Sequence, residues 1–365
     1  MPIASALTVL QNPWVDTSRE GTYDSSSIRQ DLEMMGIQWS PELQDVQENI
    51  EPVEPVVGVP PYYLEVLEAG RGVHGTVVLC LPRPYAIAAK HDSMQGSPHP
   101  IAELKSKLVA AKTAKDWPAP IKAAQNEARI HEMLAAESMR RLRASTLPQF
   151  ASLRGRSSID ASPLHGLSVH KTYWLAIDAI VPSMTVADLW WEHPPKLEGD
   201  AEVLMLQVFC GLYDAIRFLH TCNPPIVHND VHAGNVMLQL SDGLPRVVLT
   251  DFGSAKQEEN DFDFQCVRNM INFMYVESLD FHRDSPTVPK GWPEFKDTLI
   301  TRDYPNIFEP LLKLAEPLAR SALANVDSKS KSDISSRLQE AAKPKEAKLL
   351  TNFQRMGLLP GGEVN

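Results

Sequence analysis

Four polar side chains stand close together between two apolar runs in residues 226–240, which read IVHNDVHAGNVMLQL. They are His228, Asp230, His232 and Asn235. Loops held by rigid elements are where catalytic and binding side chains concentrate. Two buried strands joined by a loop of satisfied polar residues would give the same pattern, so the interpretation of this stretch depends on the rest of the chain.

Three glycines with the spacing G-x-G-x-x-G, namely Gly70, Gly72 and Gly75, occur in EAGRGVHGTVVL. Dinucleotide-binding folds share this spacing, but there a helix begins at the glycines. Here strand-forming residues follow at 77–81, so the glycines are predicted to join two antiparallel strands. Glycine at such a turn lets backbone N–H groups approach phosphate oxygens, because no Cβ is in the way. A hairpin with purely structural glycines is the alternative.

Fifteen residues beyond Gly75, the run YAIAAK is predicted to be a strand that ends in Lys90. A lysine closing an apolar strand is normally a surface residue with its ammonium in water. The same arrangement would also deliver a cation to triphosphate oxygens. Such a lysine needs a carboxylate partner, and the candidate is Glu127 on a predicted helix, with Glu132 as a substitute. A solvated helical glutamate is the alternative.

Asp251 follows an apolar run in VVLTDFGSAK and lies sixteen residues after Asn235. An aspartate at the end of a buried strand is usually a turn former. The hairpin-sized gap, however, would let Asn235 and Asp251 converge on one point. Two oxygen ligands there suit Mg²⁺, which binds one or two protein groups together with phosphates and water.

The elements that would position these residues change in type along the chain. Strand-like runs dominate from Tyr62, and helical spacing dominates later, most clearly in the long helix that Pro224 ends. We therefore predict an α+β protein with two lobes. The predicted parts are an acidic extension at 1–59, a β-rich lobe at 60–180 with an insertion at 91–122, a helical lobe at 181–325 and an exposed helical tail at 326–365.

Composition is that of a soluble globular protein, with 43% hydrophobic and 22% charged residues. The net charge of −11 argues against general nucleic-acid binding. Residues 1–59 hold ten acidic residues against two arginines, a balance of −8, which leaves −3 for the rest of the chain.

Four widely spaced cysteines without a CxxC pair argue against a metal site or a disulfide framework. The initial apolar run lacks a basic residue before it and is not expected to be a signal peptide. No apolar run approaches the ~20 residues of a spanning helix, so we expect no membrane partner and a cytoplasmic or nuclear location.

In their order along the chain, these motifs resemble the protein kinase superfamily over roughly residues 62–325. The members of the pattern are the glycine-rich loop with Val77, the lysine Lys90, the glutamate Glu127, the H-x-D-x-x-x-x-N loop of residues 228–235 and the D-F-G of residues 251–253. The resemblance implies an ATP- and Mg²⁺-dependent phosphotransferase. It also implies that the acidic extension lies outside the kinase-like region.

The resemblance implies a role for each residue. Asp230 would be the base that orients the acceptor hydroxyl, Asn235 and Asp251 would bind Mg²⁺, and Lys90, held by Glu127, would contact the α- and β-phosphates. In the strand YWLAIDAI, Asp178 and Ile180 would present backbone groups to adenine, with Ile177 behind the base. Positioning and charge neutralisation would provide most of the catalysis.

Three departures from the family bear on the acceptor. Asn229 stands where Ser/Thr protein kinases have an arginine that pairs with a phosphorylated activation loop. His232 replaces a lysine and resembles the loops of aminoglycoside and choline kinases. Only a few residues separate Gly253 from Asp261, and no A-P-E follows. D-F-G itself is a protein-kinase feature. A divergent protein-kinase-like enzyme acting on a protein Ser/Thr hydroxyl is favoured, a small-molecule hydroxyl is the alternative, and a silent nucleotide-binding pseudokinase is the third.

Overall fold

A five-stranded antiparallel sheet organises the first part of the chain, in the strand order β1-β2-β3-β5-β4. The strands are β1 (Tyr63–Arg71), β2 (Gly75–Pro82), β3 (Val109–Ala114), β4 (Leu153–Arg156) and β5 (Trp174–Asp178). This computed structural model describes residues 25–50, 59–142, 149–157, 173–182, 184–192, 201–240, 243–278, 289–301 and 308–360. The predicted hairpin at the glycines is confirmed, because β1 and β2 pair antiparallel across them.

Five helices accompany this sheet: α1 (Ser25–Met34), α2 (Pro41–Asn49), α3 (Arg83–Met94), α4 (Ile101–Ser106) and the long α5 (Pro118–Leu142). Helix α2 begins where its N-cap, Ser40, accepts a hydrogen bond from the N–H of Leu43 at 3.3 Å. Leu32 and Leu43 are buried. The described half of the predicted acidic extension is therefore part of a packed helical layer, while residues 1–24 and 51–58 lie outside the described residues.

The prediction that YAIAAK is a strand is wrong. Residues 83–94 form helix α3, with a proline in its first turn and six consecutive buried residues from Pro84 to Ala89. A short apolar run that is buried on every side does not distinguish a strand from a helix by its pattern. Alanine-rich composition and the flanking proline favour the helix here.

The predicted insertion at 91–122 is wrong in its centre, because β3 lies inside it. Strand β3 pairs with β2 on one side and with β5 on the other, so it is the middle strand of the sheet. Its sequence, VAAKTA, has few residues with high strand propensity. Pairing on both edges fixes this segment as a strand in spite of that propensity.

The remaining helices are mostly in the second part of the chain. They are α6 (Val186–Glu192), α7 (Ala201–His220), α8 (Phe262–Ser278), α9 (Trp292–Lys296), α10 (Phe308–Ala324) and α11 (Ser328–Arg355). A two-stranded hairpin, β6 (Val236–Gln239) with β7 (Arg246–Leu249), lies between α7 and α8 in sequence. The predicted α+β class is confirmed: an antiparallel sheet in the first part and mainly helices in the second.

Helix α7 is the central core element of this second part. Its residues Phe209, Leu212 and Ile216 have no exposed surface. At Gly211 a Cβ would lie 2.5 Å from Cβ of Val247, so glycine allows strand β7 to pack directly on the helix. By length and composition alone α7 could cross a membrane, which the sequence analysis did not foresee, but 67% of that window is buried within the protein.

The chain divides into two compact units. Unit 1 comprises Met1–Arg129, Ser152–Ala179 and Lys345–Asn365, and unit 2 comprises Ile130–Ala151 and Ile180–Pro344. The boundaries differ from the predicted ones: residues 130–151 and 180 belong to unit 2, and the predicted tail at 326–365 is divided between unit 2 (to 344) and unit 1 (from 345).

The end of α11 is not the exposed tail that the sequence predicts. Leu349 and Phe353 are buried, and Nδ2 of Asn352 donates to the backbone oxygen of Val66 at 2.7 Å. The side chain of Glu346 pairs with Lys105. The last helix is thus a structural part of unit 1.

The glycines of the hairpin differ in how much space a Cβ would have. This difference gives a test of the register between β2 and β3. A Cβ at Gly75 would lie 2.1 Å from the backbone oxygen of Thr113, whereas one at Gly72 would meet nothing within 4 Å. We expect Gly75→Ala to lower the free energy of unfolding by roughly 1–3 kcal/mol, because β2 and β3 must move apart. Gly72→Ala is the control and should change it by less than about 0.5 kcal/mol. Urea denaturation measures both, and equal effects would contradict this β2–β3 register.

Candidate functional site

The glycine turn of unit 1 presents open backbone. The N–H of Gly72 donates to the oxygen of Gly75 at 2.8 Å and closes the turn. A Cβ at Gly70 or Gly72 would meet nothing within 4 Å, so space is free next to the backbone there. Val77, also a predicted ligand residue, lies on β2 and is partly exposed. The turn therefore leaves the open space that a contact between its backbone and a phosphate group would need.

A lysine on the sheet is held by the predicted glutamate, but it is not the predicted lysine. The register of β2 and β3 pairs Val77 with Lys112, two residues before the position opposite Gly75. Nζ of Lys112 lies 2.7 Å from Oε2 of Glu127, whose side chain is only 2% exposed. Removing a buried carboxylate from water is unfavourable unless a partner compensates for it. Glu127 thus fixes the ammonium of Lys112 near the glycine turn.

Lys90 is placed elsewhere, and its predicted pairing with Glu127 is wrong. Helix α3 carries Lys90, and its Nζ donates to the backbone oxygen of Asn49 at 3.1 Å, at the C-terminal end of α2. A cation at a helix C-terminus is favourable because of the helix dipole. Lys90 therefore has a structural contact in the helical layer. The signal for Lys112 was present in sequence: LVAAK also ends an apolar run, fifteen residues before Glu127.

The polar loop of unit 2 is held by a carboxylate that the sequence analysis did not select. Asp263, which has no exposed surface, accepts the N–H of His228 at 2.7 Å and the N–H of Asn229 at 2.9 Å. Nε2 of His220 lies 3.1 Å from the same carboxylate. Nothing in the sequence distinguishes Asp263 from the neighbouring acids, because its role depends on where helix α8 meets the loop.

His228 is buried and satisfied on both ring nitrogens. Nδ1 accepts the N–H of Asp230 at 3.3 Å, and Nε2 lies 3.1 Å from the backbone oxygen of Thr250. These partners suit a neutral ring with its proton on Nε2. Burial lowers the pKa of His228 and is the largest influence on it, so the ring stays neutral near pH 7. His228 fixes the loop rather than moving protons.

Asp230 lies in the middle of the loop and remains accessible, with 46% of its side chain exposed. Nδ2 of Asn235 donates to the backbone oxygen of Asp230 at 3.0 Å and to its Oδ2 at 3.2 Å. Oδ1 faces Nε2 of His232 at 3.7 Å. Because Nδ1 of His232 accepts the N–H of Gly234 at 3.1 Å, the neutral imidazole has its proton on Nε2, facing Asp230. The loop thus presents one oriented, reachable carboxylate.

The hairpin β6–β7 brings Asn235 beside the D-F-G segment. Val236 pairs with Leu249, so the residues just before β6 and just after β7 are neighbours. The backbone oxygen of Asn235 accepts the N–H of Thr250 at 2.9 Å and its hydroxyl at 3.0 Å. Asp251 follows directly, and its Oδ1 accepts the N–H of Gly253 at 3.3 Å.

Two non-glycine residues of this site have left-handed backbone. Asn229 and Asp251 both have a φ of 63°. This conformation is unfavourable for most residues with a Cβ, although Asn and Asp adopt it more readily than others, and it persists where the surroundings enforce it. Here the surroundings are the hydrogen bonds to Asp263 and within the D-F-G turn.

The donor set fits the predicted Mg²⁺. Since Nδ2 of Asn235 is used by Asp230, its amide oxygen is the group that remains for a cation. Asp251 supplies a carboxylate, and hard oxygen ligands are what Mg²⁺ prefers. Within the described ranges no group of three or more His, Cys, Asp or Glu side chains could hold a metal ion. Two protein oxygen ligands suit Mg²⁺, which completes its coordination with phosphates and water.

A cluster of aromatic side chains packs around Phe252 and fixes the D-F-G turn. Phe252 has no exposed surface, and its ring centroid lies 4.8 Å from that of His228, 5.2 Å from that of His131 and 5.8 Å from that of Phe150. Edge-to-face contacts of this kind stabilise aromatic clusters. The polar loop and the turn are thus packed as one piece of unit 2.

The segment after D-F-G is short and bound to the polar loop. Lys256 and Val227 exchange two backbone hydrogen bonds of 2.8 Å. Nδ2 of Asn229 donates to Oε1 of Glu258 at 3.3 Å, and Nδ2 of Asn260 donates to the same oxygen at 2.8 Å. Helix α8 begins two residues later. An unmodified carboxylate therefore occupies the place beside Asn229.

The predicted adenine contacts lie at the end of β5. The N–H of Asp178 donates to the oxygen of Ser152 at 2.9 Å, and its carboxylate pairs with Arg154. This donor is thus used within the sheet of unit 1. Ile180 is buried and belongs to unit 2. The roles of Asp178 and Ile180 toward adenine stay a prediction.

Comparison with known proteins gives kinases. No family model matches the chain. A receptor protein-tyrosine kinase of Arabidopsis thaliana, CEPR2, is 32% identical over 72 residues, 20% of this chain and 7% of that protein. The serine/threonine-protein kinase tousled-like 1 of Mus musculus and that of Homo sapiens are each 30% identical over 70 residues, 19% of this chain and 9% of theirs. The matches thus span less than a tenth of these relatives.

Among solved structures, the PknI kinase domain of Mycobacterium tuberculosis is 17% identical, with a TM-score of 0.39; the match covers 79% of this chain and 100% of that domain. A double mutant of the same domain gives 18% identity, a TM-score of 0.39, and coverage of 81% and 100%. The curated relatives that match about a fifth of this chain are protein kinases, which agrees with the motif order.

The ion pair of Lys112 and Glu127 gives a test of the site in unit 1. We expect Lys112→Met to lower the free energy of unfolding by about 3 kcal/mol, since it leaves the buried carboxylate of Glu127 without its cation. The double variant Lys112→Met/Glu127→Gln should recover more than half of that loss, because no uncompensated charge remains. Lys90→Met, whose side chain is not paired with a buried acid, should cost less than about 1 kcal/mol. Urea denaturation measures all three variants. The pairing is contradicted if the double variant is destabilised as much as Lys112→Met or more.

Proposed function

We propose that this protein-kinase-like chain is a phosphotransferase that moves the γ-phosphate of Mg·ATP to an acceptor hydroxyl. The observation that carries the proposal is the polar loop of unit 2, in which Asp230 is accessible, oriented by Asn235 and adjacent to a D-F-G turn. The position of Lys112 beside the glycine turn supports the same function from unit 1.

The residues of unit 1 would bind the triphosphate. Open backbone at Gly70 and Gly72 suits phosphate oxygens, and the ammonium of Lys112 suits the α- and β-phosphates. Glu127 orients that ammonium. Lys112 thereby takes the role that the sequence analysis gave to Lys90.

In unit 2, Asp230 would accept the proton of the acceptor hydroxyl as its oxygen bonds to the γ-phosphorus and the bond from that phosphorus to the β–γ bridging oxygen breaks, releasing ADP. A positioned base within hydrogen-bond reach contributes roughly 10²–10⁴ to turnover. The N–H on Nε2 of His232 faces the same carboxylate and would be a donor to the transferred phosphoryl group. Asn235 and Asp251 would hold Mg²⁺, which when bound neutralises charge on the phosphates.

The favoured acceptor is a serine or threonine of a protein. The relatives over 70 residues include serine/threonine-protein kinases by name, and D-F-G is present without change. A small-molecule hydroxyl is the second candidate. His232 and the short segment before α8 favour it, since that segment offers little length on which a peptide could lie.

Two isosteric variants separate the roles of the aspartates. Asp230→Asn should leave nucleotide binding nearly unchanged and lower turnover by roughly 10²–10⁴. Asp251→Asn should weaken the metal site, so that higher Mg²⁺ restores part of its activity. Transfer of labelled γ-phosphate to casein and to a panel of aminoglycosides and choline measures both and also distinguishes the acceptors.

If the two variants respond identically at every Mg²⁺ concentration, the assigned roles are wrong. If the wild-type chain binds Mg·ATP but transfers phosphate neither to protein nor to metabolites, the chain is a nucleotide-binding pseudokinase and the proposed transfer is wrong.

The contacts of Asn229 predict activity without phosphorylation of the segment after D-F-G. Glu258 already provides an anion beside Asn229, and Ser254 is the only hydroxyl residue between Gly253 and Asp261. Protein made in bacteria should therefore be equally active before and after phosphatase treatment. Loss of activity together with a phosphate mapped to Ser254 would contradict this prediction.

A further inference from the structure

The last turns of α11 contact strand β1 through one buried side chain. Nδ2 of Asn352 donates to the backbone oxygen of Val66 at 2.7 Å, and both residues are buried. Strand β1 is at the edge of the five-stranded sheet, so only β2 supports it by strand pairing. Asn352 therefore gives this edge strand a second support, which comes from a helix near the other end of the chain.

Val66 is the extra residue of a bulge in β1. The register of β1 against β2 shifts between Glu65 and Leu67, so Val66 has no residue opposite it. A bulge bends its strand and increases the local twist, and so it re-aims the residues that follow. A buried carbonyl oxygen that loses its donor is unfavourable. The hydrogen bond from Asn352 thus fixes β1 at the point where its direction changes.

The glycine turn begins four residues after this bulge and is held differently on its two sides. On the β2 side, the backbone oxygen of His74 accepts the N–H of Lys115 at 3.0 Å, just beyond β3. On the β1 side, a second register shift occurs between Glu68 and Gly70. The position of Gly70 therefore depends on how β1 approaches the turn.

The helix end that carries the donor is itself fixed. The N–H of Leu358 donates to the oxygen of Phe353 at 2.9 Å, and the N–H of Gly357 donates to that of Gln354 at 2.9 Å. These two bonds are the Schellman motif, which ends a helix at a glycine with positive φ. Gly357 has a φ of 74°, and a Cβ there would lie 3.5 Å from Cε of Lys90 on α3. The end of α11 is thus packed against unit 1 in one defined position.

We propose that Asn352 is a positioning residue of the glycine turn: by fixing the bulge at Val66, the end of α11 holds Gly70 and Gly72 where their backbone can contact a phosphate group. All four residues belong to unit 1. The proposal rests on the proposed function for the identity of the ligand, Mg·ATP. It couples the C-terminal helix to nucleotide binding, so that the contact and the ligand favour each other.

Amide hydrogen exchange of the full chain measures the positioning without a nucleotide. Asn352→Leu removes the donor and keeps a side chain of similar size. Exchange in residues 67–72 should become about tenfold faster, as expected for the loss of one buried hydrogen bond, while residues 109–114 of β3 stay unchanged. Glu346→Gln is the matched control, because it removes the pairing of α11 with Lys105 and should leave residues 67–72 unchanged. Equally faster exchange in both strands would be a loss of global stability and would overturn the proposal.

Calorimetric titration with Mg·ATP gives the functional readout. Asn352→Leu should raise the Kd about tenfold, because a turn that is less often in its binding arrangement lowers the apparent affinity by that fraction. Glu346→Gln should change the Kd less than about twofold, and so should Asn352→Leu change turnover at saturating Mg·ATP. A wild-type chain that binds no Mg·ATP would refute the proposed function, and the exchange measurement would still decide the positioning. The proposal is overturned if Asn352→Leu leaves the exchange of residues 67–72 unchanged, or leaves unchanged the affinity of a chain that binds Mg·ATP.

One further measurement needs no variant, so it decides the proposal even if Asn352→Leu fails to fold. Exchange of the wild-type chain is followed in increasing urea below the unfolding transition. Residues 67–71 and 349–356 should become exchangeable in the same opening, with the same free energy and the same dependence on urea. Opening of residues 67–71 while residues 349–356 stay protected would overturn the proposal.

Discussion

The carboxylate of Asp263 is fully buried in unit 2. The polar loop is arranged around this carboxylate. Two backbone N–H groups of the loop and one imidazole donate to its two oxygens. The left-handed backbone of Asn229 is needed for its N–H to reach this acceptor, so the carboxylate offsets an unfavourable conformation. Asp230 is the next residue, so these hydrogen bonds also set the direction in which its side chain leaves the loop. Together with His228 and Asn235, Asp263 thus fixes the position of the accessible aspartate.

A second buried carboxylate, that of Glu127, fixes a charged side chain in unit 1. Glu127 is fixed by helix α5, and Lys112 by pairing of β3 on both edges, so the ion pair joins two elements that are each rigid on their own. The buried carboxylates that fix the two groups of residues therefore both lie on helices, Asp263 on α8 and Glu127 on α5. Such preorganisation lowers the reorganisation that a charged substrate would otherwise require.

The sequence predicted that the polar loop and the D-F-G turn of unit 2 are neighbours, because they are contiguous motifs joined by a short hairpin. Asp230, Asn235 and Asp251 needed only local spacing to be selected. The prediction that Lys90 pairs with Glu127 was wrong because two similar apolar runs, YAIAAK and LVAAK, both end in a lysine. Only tertiary context decides which of them becomes the strand. Asp263 could not be selected, since its function depends on a contact between residues about 35 apart in the chain.

Binding of Mg·ATP is the central claim, and the melting temperature measures it most directly. A ligand specific for the folded state stabilises it by RT ln(1 + [L]/Kd). We expect millimolar Mg·ATP to raise the melting temperature of the wild-type chain in a saturable way. The folded double variant Lys112→Met/Glu127→Gln should show little or no rise. The account is contradicted if the wild-type chain shows no shift with Mg·ATP, or if the double variant shifts as much as the wild type.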